Sequence, residues 1–333
     1  MIPLIELQQK FFNEINLKIP PNHSLVHEVS EILGISDDSV YRRIRGEKEM
    51  TFHEIFKLCS HFSISFDNLM NLESRKVIFE SVALDPVNLR LSNWFGIILE
   101  EMKNISASRE AEVIYSAIDL PVFHLMQIPE LMAFKIFFWE KTLFQFPDYG
   151  EKKLQISDID ENTKKICRQI NDQWVKIPTT EIWNADTFNI FLRQLEFYWL
   201  AGYLESRDDV LSLCDHLIAL IEHIRKQAEL GMKFLIDNPS NGIVNSFILY
   251  ENEVSLNDNT ILIKRAHASK VFLTYNVLSL LSTQNAAFCA YTENYLKKLM
   301  SKSNLMSVTG DKTRNRFFNK ALNTITAFRN RVI

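Results

Sequence analysis

A mainly α fold in two parts is predicted by three observations. The 333 residues are 47% hydrophobic and 23% charged, the ordinary balance of a globular chain, which excludes wholesale disorder. With 8 Gly and 9 Pro the chain is too poor in turn residues for a sandwich or a barrel. Apolar side chains recur at spacings of three and four through much of its length, the period of a helix with one buried stripe. The length exceeds one minimal module and predicts two domains, at roughly 150 residues for each. The expected fold is a five-helix amino-terminal bundle over residues 1–72, followed by a larger helix-rich α+β region over residues 73–333 with a small sheet.

Residues 4–16 place Leu4, Leu7, Phe11 and Ile15 on one stripe, and Pro20-Pro21 ends that helix. Ser24 is an N-cap for a second helix over residues 25–33, because its hydroxyl can accept from an unpaired amide of the first turn, and Gly34 stops it. Ser36 caps a third helix running to about Ile44, with Asp37 and Asp38 at the positive end of its dipole. Gly46 ends that helix, and Thr51 followed by Glu54 is a capping box opening a fourth through about His61. Asp67 or Ser65 caps a fifth, up to Leu72.

Beyond Leu72 the pattern changes. Residues 76–83 and 111–119 are rich in β-branched and aromatic side chains and are predicted strands, with a helix over 86–103 between them that begins at Pro86. Residues 247–250 and 260–263 flank Asn257-Asp258-Asn259 and predict a hairpin. Helices are predicted over residues 130–145, 157–175, 186–204, 208–235, 267–300 and 313–331. Helical hairpins around a small sheet are the expected arrangement, with solenoid repeats as the alternative.

Cys59, Cys167, Cys214 and Cys289 stand far apart, so neither a zinc knuckle nor a disulfide framework is written, and a reducing cytoplasm is the expected location. No basic and apolar leader opens the chain and no apolar run approaches 18 residues, so neither export nor membrane insertion is expected. The net charge of −4 divides into −3 over residues 1–72, −9 over 73–296 and +8 over 297–333. The basic segment from Lys297 to Arg331 has three candidate uses: a solvated helix face, docking on the acidic body of a partner subunit, or contacts to phosphates.

Catalytic motifs are missing. There is no G-x-G-x-x-G, phosphate loop, nucleophile elbow or H-E-x-x-H, so neither enzymatic activity nor a cofactor is expected. His216 and His223, near Cys214 and Asp215, lack the i,i+4 spacing and third ligand that a metal needs. The aromatic clusters around Phe134, Phe137, Phe138 and Trp139, and around Phe191, Phe197 and Tyr198, are read as core, the alternative being an aromatic-lined pocket for a small effector.

The informative segment is residues 24–47. Val26, Val29 and Leu33 form the inward face of one helix, Gly34 supplies a turn that other residues adopt poorly, and Ile35, Val40 and Ile44 anchor the next helix. Its opposite face, with Tyr41, Arg42 and Arg45, is left free for a major groove. Residues 24–72 resemble the XRE or Cro/phage-repressor family of helix-turn-helix domains. The likeness rests on Leu33-Gly34-Ile35-Ser36, Ser39-Val40, Arg45-Gly46 and the trailing stretch from Thr51 to Leu69, which ends in Ile64-Ser65-Phe66-Asp67-Asn68-Leu69. Two positions depart from the family pattern. Ser30 stands where alanine is usual, and Arg43 where an aliphatic residue is usual, with Ile44 expected to anchor the helix one position later.

The resemblance implies a λ-repressor-like bundle that binds double-stranded DNA as a homodimer. It implies that Asp37, Asp38, Tyr41 and Arg42 face base edges and that Ser36, Ser39 and Arg45 sit near phosphates. Arg43 joins this set unless it pairs inside the domain with Glu31 or Glu47. An arginine can pair bidentately with guanine and an aspartate can accept from cytosine, although Asp37 and Asp38 equally suit a helix start. The function expected is sequence-specific transcriptional regulation, with residues 73–333 dimerising or sensing a small-molecule or protein effector. The alternative is a protein-interaction scaffold, because a charge of −3 over residues 1–72 is unusual in a strong DNA binder.

Overall fold

The computed structural model describes residues 4–20, 23–62, 64, 66, 77–81, 91–108, 110–156, 160–236, 238, 242–254, 258–266, 268–276 and 279–332. The chain divides into two compact units, Met1–Ile78 and Phe79–Ile333. It is mainly α with one mixed sheet, and among the described residues no helix is long and apolar enough to cross a membrane.

The first unit packs α1 (Leu4–Lys18), α2 (Leu25–Leu33), α3 (Asp37–Ile44) and α4 (Phe52–Phe62) around Phe11, Phe12, Ile15, Val26, Val29, Val40 and Leu58. The stripe on α1 is shifted from the expected one, since Gln8 and Phe12 are buried beside Phe11 and Ile15. The fifth helix expected up to Leu72, with its caps at Ser65 or Asp67, lies outside the described residues.

The second unit is built on an eight-stranded sheet. Its strands are β1 (Glu80–Ser81), β2 (Glu112–Ala117), β3 (Thr179–Trp183), β4 (Phe247–Glu251), β5 (Thr260–Lys264), β6 (Ser269–Asn276), β7 (Ser279–Thr283) and β8 (Asn304–Leu305). They lie in the order β1-β7-β6-β5-β2-β3-β4-β8. β2, β3 and β4 are parallel neighbours and the remaining pairs are antiparallel. Parallel strands need crossovers, which are helical here. α6 (Val122–Leu125), α7 (Pro129–Phe138) and α8 (Glu161–Trp174) join β2 to β3, and α9 (Asn189–Leu200) and α10 (Arg207–Leu230) join β3 to β4.

Side chains alternate across the sheet. Val113, Tyr115, Ala117, Trp183, Phe247 and Leu249 join the main core with the crossover helices, α5 (Leu91–Ser106) and α12 (Asp311–Val332). Ile114, Ile182, Leu262 and Val271 face the other way, onto Cys289 and Leu296 of α11 (Ala286–Ser301). The parallel strands are therefore covered on both faces, which is how such strands stay dry.

Several expectations are corrected. The predicted hairpin does not form: residues 247–251 and 260–264 are strands, but β2 and β3 lie between them in the sheet. The helix expected over 267–300 is the β6–β7 antiparallel pair followed by α11, because β5 offers its free edge to Ser269–Lys270 before any helix begins. β3 was not foreseen, and the small sheet is an eight-stranded one. Of the strand expected over 76–83, the described residues show Glu80–Ser81 paired to β7. The helix expected over 86–103 is α5, whose start near Pro86 lies outside the described residues.

Candidate nucleic-acid interface

The α2–α3 corner is made by local chemistry. Gly34 ends α2 at φ 68°, a left-handed conformation that costs other residues energy, and its N–H donates to Ser30 O. Ser30 is buried, and its hydroxyl donates to His27 O at 2.8 Å, so serine fills the small inward site without an unpaired oxygen. Three residues, Gly34 to Ser36, separate the helices. Ser36 caps α3 by accepting from Ser39 N, and its hydroxyl also donates to Ser39 Oγ at 3.0 Å. Gly46 follows α3 at φ 75°, and a Cβ there would stand 3.0 Å from Ile5 of α1. The left-handed backbone therefore favours glycine here, and a larger side chain would also press on Ile5.

α3 presents two faces. Val40 is fully buried and Ile44 packs against the same core. Asp37, Asp38, Tyr41, Arg42 and Arg45 share the outward face and are exposed, and Tyr41 is 50% exposed. Ser36 is exposed and Ser39 half-buried at the helix start. Glu47 reaches back to this face: its carboxylate accepts from Arg45 Nε at 2.7 Å and lies 3.8 Å from Arg42 Nε.

Arg43 departs from the expected DNA-facing set. It is 3% exposed, it turns into the unit, and it pairs with Glu54 rather than with Glu31 or Glu47. Nη2 donates to Glu54 Oε1 at 2.5 Å, Nε to Oε2 at 3.3 Å, and Nη1 to Ser39 O at 2.9 Å. The guanidinium thus stands inside the unit with its charge answered on the spot. Glu54 also accepts from Thr51 N at 2.8 Å while Thr51 Oγ1 accepts from Glu54 N, which is the predicted capping box. Burial alone would raise the Glu54 carboxyl, but hydrogen bonds from Arg43 and Thr51 and the charge of Arg43 hold it below its ordinary value.

Gln8 completes the support and was not singled out in the sequence. Its Nε2 donates to Arg43 O at 2.6 Å and to Lys48 O at 2.8 Å, and its Oε1 accepts from Met50 N at 3.3 Å. One amide on α1 therefore satisfies the chain where α3 ends. The signal that could have revealed it is a polar residue one position past Leu7 in an otherwise apolar helical face.

In the second unit the basic segment is largely answered by the chain itself. Arg329 pairs with Asp215, Arg331 with Glu196, and Arg316 with Glu251 and Glu253, while Arg314 is buried and donates to Met306 O. Of the aromatic clusters, Phe134, Phe137, Trp139, Phe191 and Tyr198 are core, while Phe197 is 55% exposed. Glu181 of β3 is fully buried, with His124 Nε2 at 3.0 Å. Lys233 is also fully buried, with Nζ donating to Thr179 Oγ1 at 2.6 Å and lying 3.7 Å above the Trp174 ring. Burial drives the Lys233 ammonium well below its ordinary pKa, against the opposing pull of Glu181.

Among the described residues no three His, Cys, Asp or Glu converge as a metal site. His223 meets Phe234 O and His216 meets Ser212 Oγ, so the two are engaged separately. No family model, no curated protein and no solved structure matches the chain.

Proposed function

We propose that this chain is a sequence-specific DNA-binding transcriptional regulator, with a helix-turn-helix of the XRE or Cro/phage-repressor type around α2 and α3 and a second unit that dimerises or senses an effector. The observation that carries the reading is the outward face of α3: Asp37, Asp38, Tyr41, Arg42 and Arg45 are exposed on a short capped helix whose inner face is fixed by Val40 and by Arg43 with Glu54. A rigid helix with polar groups on its free side is what major-groove entry requires. Arg42 is suited to a bidentate contact with guanine, worth about 1–3 kcal/mol of discrimination. Arg45, Ser36 and Ser39, at the helix ends, are suited to phosphates. A single acidic unit would bind weakly, and a homodimer on two half-sites doubles its contacts.

The test is capture of bound DNA across a genome, followed by titrations at several salt concentrations. Arg42→Ala should relax site preference, whereas Arg45→Ala should weaken all sequences alike and lower the salt slope by about 1. The scaffold reading draws on Asp37, Asp38 and Glu47, three carboxylates at the same surface, and it predicts no DNA in the capture and no effect of either substitution.

A further inference from the structure

Two hollows flank α9. Between α9 and α12 lies a polar one of about 810 Å³, with Arg193 and Glu196 on one wall and Lys320 and Arg331 on the other. On the other flank lies one of about 490 Å³, walled by Phe138, Ile190 and Phe197. Arg193 lines both. Its side chain is 65% exposed, and its ion-pair partner is Asp186 at 3.5 Å, the long limit of a hydrogen bond. Two other cations of this hollow are more firmly held, Arg331 by Glu196 at 2.7 Å and Arg316 by Glu251 at 2.5 Å. Phe197, one turn beyond Arg193, leaves more than half of its surface in water.

A loosely held guanidinium between a polar and an apolar hollow has a chemical complement. We infer that the α9 flanks form a binding site for a small amphipathic organic anion, a carboxylate carrying an alkyl or aryl group. The carboxylate displaces Asp186 and takes the fork of Arg193, in the positive field that Lys320 adds from α12. The apolar group covers Phe138, Ile190 and Phe197, and removing their surface from water supplies the rest of the affinity. Anion and tail need each other here. A bare anion gains little over Asp186, and a bare alkane leaves Arg193 as it was. The inference gives the effector part of the proposed function a place and a ligand class, and it rests on that part for its biological meaning.

Calorimetric titration of the full chain with sodium octanoate, with 1-octanol as the uncharged control, tests it. Saturable binding of octanoate is expected, with 1-octanol weaker by about tenfold or more. Arg193→Gln and Phe197→Ser, both at exposed side chains, should each weaken octanoate by about tenfold, and Asp186→Asn, which frees Arg193, should tighten it. Absence of saturation in the unaltered chain, equal binding of octanol, or undiminished binding after Arg193→Gln or Phe197→Ser would overturn the site. Since the titration contains no DNA, its failure leaves the α3 reading standing, and failure of DNA capture leaves the α9 site standing.

Discussion

Arg43 of α3 and Glu54 of α4 grip each other across the amino-terminal unit, Nη2 to Oε1 at 2.5 Å, with the arginine side chain 3% exposed. The pair closes α3 onto α4 and at the same time completes the cap of α4. It turns a cation on the helix expected to meet DNA into an internal strut.

Removing the carboxylate should therefore cost more than removing the cation. Glu54→Ala leaves a buried guanidinium without its counter-charge and removes the glutamate half of the capping box, with an expected loss of ~3 kcal/mol, about a hundredfold in amide-exchange protection over residues 37–62. Arg43→Met keeps the Thr51 cap and fills the site with an apolar stem, so it should cost less. Equal losses would refute this division of roles. The pH dependence has a fixed sign. The folded Glu54 carboxyl lies below its ordinary value of 4.5, so its contribution is complete above the unfolded pKa and disappears as the pH falls through the folded one.

Glu47 holds the exposed arginines of α3, being 2.7 Å from Arg45 and 3.8 Å from Arg42. Glu47→Gln frees both guanidiniums and removes a negative charge from the surface. Under the proposed function, DNA affinity should rise, and most at low salt, where exposed ion pairs and phosphate attraction are least screened. Titrations of the two proteins at matched salt check this, and an unchanged or lower affinity in the variant would contradict it.

Lys233 should make the second unit more stable as the pH rises. Its folded pKa is well below the ordinary 10.5, so between the two values the unfolded chain binds a proton that the folded chain does not. Folding is then increasingly opposed as the pH falls through that window, reaching a plateau below the folded value. Lys233→Met removes the titration and keeps an unbranched stem against Trp174. The variant should accordingly gain more relative to the natural chain at pH 7 than at pH 10, as read from thermal midpoints. A difference independent of pH would mean that the amine is charged in the folded chain.

The arginines of α12 are spoken for by acids of the same unit, Arg329 by Asp215 and Arg331 by Glu196. Under the proposed function, replacing both with glutamine should leave the salt slope of DNA binding unchanged. A slope that falls would show that these side chains release their internal partners and neutralise phosphates instead.

Local grammar made the amino-terminal helices readable. Ser36, Gly34, Gly46 and the Thr51/Glu54 box act over three or four residues, and the end of α2, both ends of α3 and the start of α4 lie where those signals place them, whereas Ser24 precedes α2 without the side-chain hydrogen bond expected of it. The outward position of Tyr41, Arg42 and Arg45 follows from the same period. The inward turn of Arg43 does not, because its reason, Glu54, arrives from another helix, and Gln8 acts from more distant still in the chain. The second unit shows the same divide. β3 is not legible in the sequence because a short stretch that buries Glu181 among apolar neighbours has the pattern of no solvent-facing strand. The sequence of β6 and β7 predicts helix because brief apolar runs fit either period until an edge such as that of β5 is there to pair with them.

Nearest-neighbour chemistry thus settled where α2 ends, where α3 begins and ends, where α4 begins and which side of α3 faces outward. Pairing and burial between distant segments settled the sheet order, the strut within the first unit and the flanks of α9. Hydrogen bonds of caps and turns close within one turn of chain, whereas strand partners and the counter-charges of buried ions come from residues that only folding brings within reach.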